Sequence, residues 1–336
     1  MKTSKQLFLI SINIFIVFLI SSCAKNKNHE TQLDTSQEET DVDINTNQES
    51  FTEEFKKCYV TFDPEGHKGN HLFKVYAQST TKPNYYWGFT IAREQDLSDD
   101  IYSDQYRILY CKEFVYKGKE MFPTGYTLLH HGESEFTYKR LGASEPTGGF
   151  HGREKFTEIS FLIDGNLIND STTEFKMRGC KSFTYIQKSI MYREDNAHTE
   201  DATHLKTTKI SDGGYFTKNT ITAKDMIPMN TCFGSVVSVS VDVVEKGSAA
   251  NHENVVSFNQ DGKRKLEGYS DELFVWNDTK KLSANIESKF SIYNVYATQY
   301  IWDTQHYGKY YRYFQNINLN AGESWFFETK VTFDKL

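Results

Sequence analysis

From Cys58 onward, apolar and polar residues alternate with a period of two, and no stretch after the N-terminus carries a sustained helical period. Alternation turns one side of an extended chain toward a core and the other toward water. The chain can therefore build sheets and has little with which to build helices. The runs Cys58–Phe62, Leu72–Tyr76 and Tyr85–Ile91 open the series, and Thr157–Ile163, Ser182–Ile186, Ser235–Val241 and Ser324–Phe333 continue it. Asp164-Gly165 and Asp212-Gly213-Gly214 divide such runs, and Asp-Gly suits the positive φ of tight hairpins. Asp261-Gly262 and Asn320-Ala321-Gly322 are expected to act in the same way. The helical candidates are Thr52–Lys57 and Ala223–Ile227. The expectation is an antiparallel all-β body over residues 51–336, a sandwich, jelly roll or supersandwich, in one unit or two packed sandwiches. The 25 Phe, 21 Tyr and 4 Trp can fill a large core.

The N-terminus is built differently. Lys2 and Lys5 precede Leu7–Ile20, interrupted only by Ser11 and Asn13, and small residues follow. A charged start, a short apolar run and small residues form a secretory signal. The run falls short of the roughly 20 residues that cross a bilayer. Its ending, Ile20-Ser21-Ser22-Cys23, resembles the lipobox of bacterial lipoproteins. The resemblance implies that residues 1–22 are a signal peptide and that Cys23 is acylated. It also implies that the lipid holds the body at a membrane, outer-membrane in a two-membrane cell, facing the periplasm or the outside. Residues 23–50 are rich in Asn, Gln, Thr, Ser and acids and lack the apolar surface to offset ordering, so a disordered tether is expected there. Loss of Lys2 and Lys5 with the leader takes the formal charge from −7 to about −9, which argues against a nucleic-acid partner.

Four further cysteines, Cys58, Cys111, Cys180 and Cys232, have no CxxC spacing and so no zinc or thioredoxin-like motif. Export permits disulfides, four cysteines allow three pairings, and buried thiols are the alternative. Neither a metal nor a cofactor is expected.

Three segments carry candidate chemistry. In Gly148-Gly149-Phe150-His151-Gly152-Arg153-Glu154, glycines around His151, Arg153 and Glu154 permit close backbone approach. The tetrapeptide His151–Glu154 resembles the zinc-binding turn of carboxypeptidase-type metallopeptidases, whose α/β fold this chain does not have the helices to build. A polar surface loop is the simpler reading. His198–Lys206 holds His198, His204 and Lys206 around Glu200 and Asp201, in what reads as a polar loop before a strand. The pair His130-His131 ends another run, and neighbours on a strand face opposite ways. The third segment packs Tyr296, Tyr300, Trp302, His306, Tyr307, Tyr310, Tyr311, Tyr313 and Phe314 around Lys309 and Arg312. As a strand it puts Tyr307, Lys309, Tyr311 and Tyr313 on one face and Tyr310, Arg312 and Phe314 on the other. Flat aromatic faces with cations suit sugars, and aromatics are also good strand formers.

Two functions are compatible with these residues. One is a tethered protein that binds a polysaccharide or a surface protein, through Glu154, Lys206, Tyr307, Lys309, Tyr311, Arg312 and Tyr313. The other is a carbohydrate-active enzyme. Lipid-anchored all-β domains of this size resemble polysaccharide lyases and mutarotase-like sandwiches. That resemblance implies β-elimination on a uronate-containing glycan, with His151, Arg153, His204 and Tyr310 as its catalytic candidates.

Overall fold

The computed structural model describes residues 56–336, apart from 131–133, 169–173, 196, 250–253, 269 and 293–297. The signal peptide, Cys23, the tether, Tyr296 and most of Thr52–Lys57 lie outside the described residues. The described body is an antiparallel all-β structure. Its first strands are β1 (Cys58–His67), β2 (Asn70–Gln78), β3 (Tyr85–Asp96), β4 (Ser103–Lys117), β5 (Glu120–His130), β6 (Glu135–Arg140), β7 (Glu154–Ile163), β8 (Asn166–Leu167), β9 (Phe175–Cys180) and β10 (Phe183–Tyr192). There follow β11 (Glu200–Ser211), β12 (Gly214–Ala223), β13 (Ile227–Ser240), β14 (Lys246–Ala249), β15 (Val256–Ser257), β16 (Arg264–Gly268), β17 (Glu272–Asn277), β18 (Leu282–Phe290), β19 (Thr298–Asp303), β20 (Tyr307–Leu319) and β21 (Ser324–Lys335).

The strands form three ladders. The first runs β9-β1-β2-β3-β4-β5. The second, the longest, runs β8-β7-β10-β11-β12-β21-β18-β17-β14-β15. The third runs β6-β13-β20-β19-β16. Single pairings, Val239 with Leu129 and the parallel Asp104 with Lys155, join them into one strongly curved sheet.

The inner face of the long ladder packs against both others. Phe73 on β2 lies 4.5 Å from Phe161 and 5.0 Å from Phe183, and Trp87 on β3 lies 6.3 Å from Phe333. Toward the third ladder, Phe327 on β21 lies 5.1 Å from Phe136 and 5.9 Å from Phe314. Each fully buried ring contributes roughly 1.5–3 kcal/mol through the area it removes from water. Two apolar clusters result, one around Phe73, Trp87 and Phe333, the other around Phe136, Phe314 and Phe327.

Several turns match expectation and several do not. Asp164-Gly165 closes β7 onto β8 with φ of 54° and 80° at its two residues. Asp212-Gly213 closes β11 onto β12, with Gly213 at 82°. Asp261-Gly262 is a turn but not a hairpin, because β15 pairs with β14 and β16 with β19. Asn320–Gly322 likewise passes the chain from β20 in the third ladder to β21 in the second. Ala223–Ile227 is not helical. Its Lys224 amide donates to the Asp201 carbonyl at 2.8 Å, so the segment bends out of β12 and re-enters as β13.

Candidate functional site

The period-two rule holds along the long ladder with an unexpected content. Inward residues of β11 are Ala202, His204, Lys206, Thr208 and Ile210, all buried. Their register partners on β10 are Met191, Ser189, Gln187, Tyr185 and Phe183, and on β12 the inward set includes Ile221, Asn219, Thr217 and Tyr215. A buried polar belt therefore crosses the sheet between the two apolar clusters. The segment His198–Lys206 is thus not a loop: β11 begins at Glu200, and a strand whose polar residues face inward has a pattern easily mistaken for solvated chain.

The centre of the belt is an ordered set of hydrogen bonds. His204 Nδ1 lies 2.8 Å from Glu154 Oε1, and its Nε2 lies 3.0 Å from Asn219 Oδ1. Asn219 Nδ2 donates to the Ser134 carbonyl at 2.9 Å, which fixes the amide with its oxygen toward the ring. Both ring nitrogens are thereby engaged. Lys206 Nζ donates to the Tyr106 carbonyl at 3.1 Å and stands 5.8 Å from the Tyr185 ring. Burial pushes the Glu154 carboxyl up. The attraction and hydrogen bond of His204, the charge of Lys206 and a hydrogen bond with Ser189 outweigh it and bring the pKa to about 2.

Above the belt the three ladders meet at a recess lined by Gln105 and Arg107 of β4, Glu135 and Phe136 of β6, Gly149, and Glu154, His204, Lys206 and Asn219 of the long ladder. Its closed part is a cavity of ≈ 10 Å3, room for about one water molecule and not for a sugar ring. The roof is a single turn of 3-10 helix, Gly149–His151. Three glycines make this turn possible. At Gly148 a Cβ would stand 2.5 Å from the Phe136 carbonyl oxygen, and at Gly149 it would stand 2.6 Å from Glu135 Oε2. At Gly152 it would strike the Ile101 carbonyl, and the φ there is 78°. The surface-loop reading of this segment is therefore corrected: Gly149, Gly152, Arg153 and Glu154 are buried.

At the mouth, Arg107 stacks on Phe150, with its guanidinium carbon 4.3 Å from the ring centre. Its Nη2 donates to the Gly149 carbonyl at 3.4 Å. The carboxylates of Glu135 and Glu94 stand at 3.8 and 3.9 Å, longer than hydrogen bonds, and Arg107 Nε has no hydrogen-bond partner among the described residues. Phe150 is 36% exposed although it sits beside a buried arginine. The imidazole of His151 is half-buried. Loss of water around it, with the charges of Lys309 and Arg153 nearby, takes its pKa down to about 3.

Of the residues singled out in the sequence, Glu154, His204 and Lys206 converge, and His151 and Lys309 stand close enough to interact at the roof. Arg153 turns away, donating from Nη1 to the Pro146 carbonyl at 3.1 Å. Strand β20 splits its faces largely as expected. Tyr310, Arg312 and Phe314 are fully buried and Tyr307, Lys309 and Tyr313 are half-buried, whereas Tyr311, expected beside these on the second face, is buried as well. Tyr310 is thereby removed from the site. Its hydroxyl lies 2.6 Å from Ser288 Oγ, which also accepts from Arg312 Nε at 2.7 Å, while Arg312 Nη2 reaches Asp271 at 3.0 Å. Tyr311 and Tyr313 belong to a separate outer patch with Tyr300 and Phe233, where Arg264 stands 4.3 Å over Tyr300. Burial takes the Tyr311 hydroxyl up to about 12. Sequence reasoning missed Gln105, Arg107, Glu135 and Asn219. The available signal was a pair of polar residues at i and i+2 in an otherwise aromatic strand, Gln105 and Arg107. Among the described residues no group of three or more His, Cys, Asp or Glu side chains is placed to hold a metal ion.

No family model matches the sequence, and no curated protein is significantly similar to it. Solved structures with a related chain course include a galactose mutarotase-like protein from Clostridium acetobutylicum, 8% identical, with a TM-score of 0.41 over 82% of this chain and 98% of that one. A 4-alpha-glucanotransferase from Thermococcus litoralis is 12% identical, with a TM-score of 0.41 over 82% of this chain and 39% of that one. A glycoside hydrolase family 97 enzyme from Pseudoalteromonas is 11% identical, with a TM-score of 0.36 over 76% of this chain and 35% of that one. At such scores no residue role passes from those proteins to this chain.

Proposed function

We propose that this chain is a lipid-anchored protein held outside the cytosol that binds glycan at the mouth of the recess. The observation that carries the reading is the exposed Phe150 ring stacked on the guanidinium of Arg107, which lines the recess together with Glu135. A flat ring beside a donor and an acceptor is complementary to the C–H face and hydroxyls of a sugar. His151, whose imidazole feels the charge of Lys309, follows Phe150 in the same turn.

Binding is favoured over catalysis. The Glu154–His204 pair has the residue types of an acid–base couple, but both ring nitrogens are committed and the cavity beside them admits about one water molecule. In the alternative, β-elimination on a uronate-containing glycan, a Tyr or a His would be the base, with Tyr310, His151 and His204 as the candidates. Tyr310 is buried on Ser288, on the inner face of β20. The anchor rests on Cys23 and the signal before it, and the tether on residues 23–50. Affinity electrophoresis over neutral and acidic polysaccharides tests the binding. Retardation by at least one polysaccharide without turnover supports it, and a rise in ultraviolet absorbance from an unsaturated product contradicts it. Mass spectrometry of the N-terminus tests the anchor: an acylated Cys23 supports it, and an unmodified Met1 contradicts it.

A further inference from the structure

We infer that Cys58 and Cys180 are the site of a cross-strand disulfide that staples the first strand of the body to its edge neighbour, while Cys111 and Cys232 remain thiols. All four cysteines are buried and stand as free thiols in this structure. Their placement chooses among the pairings that the sequence leaves open. Cys232 on β13 belongs to the apolar cluster around Phe327, whereas Cys58, Cys111 and Cys180 belong to the other, so Cys232 has no cysteine within its own cluster. Cys111 on β4 is opposed by Phe89 and Leu129. Cys58 and Cys180 are direct register partners in the β1–β9 ladder.

Directly opposed residues of an antiparallel pair have Cα atoms about 4.5–5.5 Å apart, inside the 4.4–6.8 Å that a disulfide spans. The Gln78 amide donates to the Lys57 carbonyl at 2.9 Å, which turns the amide and carbonyl of Cys58 away from β2 and toward β9. Cys58 and Cys180 are thus the wider kind of opposed pair, and bridging them draws β9 slightly inward. Strand β9 can follow, because among the described residues it pairs with β1 alone. The two thiols already interact, and that contact together with burial raises the Cys58 thiol well above its ordinary range.

The chemistry is thiol–disulfide exchange with a small or protein disulfide as oxidant. One thiolate attacks the oxidant and releases one of its sulfurs as a thiol. The second thiolate then displaces the other, so two protons and two electrons leave the pair and the oxidant is reduced to two thiols. The staple closes the chain between residues 58 and 180. It pins the strand that receives any pull transmitted through the segment before it.

The test uses the full chain equilibrated with glutathione disulfide at the foot of its urea transition, where local opening admits the reagent. It is then alkylated in denaturant, digested and mapped by mass spectrometry. The expected result is one linked peptide pair containing Cys58 and Cys180, with Cys111 and Cys232 alkylated. The oxidised chain should melt roughly 5–10 °C above the reduced one. Cys58→Ser and Cys180→Ser should each lose the linked pair and the melting difference. Full alkylation of residues 58 and 180 after oxidation overturns the inference, as does a bridge through residue 111 or 232. Neither result bears on glycan binding.

Discussion

The His204 ring is held between the Glu154 carboxylate at 2.8 Å and the Asn219 side-chain oxygen at 3.0 Å, deep in a sheet that is otherwise packed with aromatics. His204→Ala leaves the Glu154 charge buried without its nearest partner. A buried pair broken in this way costs about 3–5 kcal/mol. The double change Glu154→Gln with His204→Gln removes the buried carboxylate together with its ring partner and should recover a large part of that loss. Urea unfolding of Glu154→Gln, His204→Gln and the double variant measures it, and additivity of the two single changes would contradict the coupling.

The same pair sets a dependence on pH. Glu154 is depressed to about 2, below its ordinary value of 4.5, so its stabilisation is complete above about 4.5 and is lost as pH falls toward 2. His151 is depressed to about 3 from 6.5. Its unfolded form binds a proton first, so it too withdraws stability as pH falls, beginning near 6.5. On the acid side the urea midpoint should decline as pH falls through about 6.5 and decline more steeply below 4.5. His151→Gln should flatten the upper part alone. A midpoint that rises on acidification contradicts both assignments.

Gly152→Ala should be among the most damaging small substitutions. Its φ of 78° is strained for any side chain, and the new methyl meets the Ile101 carbonyl. A loss of about 2 kcal/mol or more is expected. Gly118, also at positive φ but with open space around it, should lose less under the same change. Thermal melts of the two variants decide the order.

Tyr310→Phe separates structure from binding. It removes the hydroxyl that meets Ser288 beside Arg312 and should cost about 1–2 kcal/mol. Retardation by polysaccharide should not change, because the side chain is fully buried on the inner face of β20. Loss of retardation in a folded Tyr310→Phe protein would return this tyrosine to the site.

Much of the body could be read from alternation, since period two is a local property of extended chain. Apart from the buried Tyr311, the two faces of Tyr307–Phe314 were assigned correctly for the same reason, as were the Asp164-Gly165 and Asp212-Gly213 hairpins. Which ladder a strand joins is not local. Asp261-Gly262 and Asn320–Gly322 have hairpin chemistry but connect strands with other partners. The site was legible in part. His204 is a catalytic candidate and Glu154 and Lys206 are binding candidates in the sequence, yet the start of β11 reads as a loop because its polar side faces inward. Arg107 and Glu135 come from different ladders and meet only through the curvature of the whole sheet, which no local pattern encodes.

Glycan capture at the Phe150 mouth is the central claim, and affinity electrophoresis of the wild type beside Phe150→Ala and Lys309→Gln measures it directly. The account predicts that a polysaccharide retards the wild type, and that Phe150→Ala, folded but melting a few degrees lower for loss of its contact with Arg107, weakens retardation about tenfold. Lys309→Gln should have a smaller effect in the same direction. Equal retardation of wild type and a folded Phe150→Ala protein, or no retardation by any polysaccharide, would contradict it.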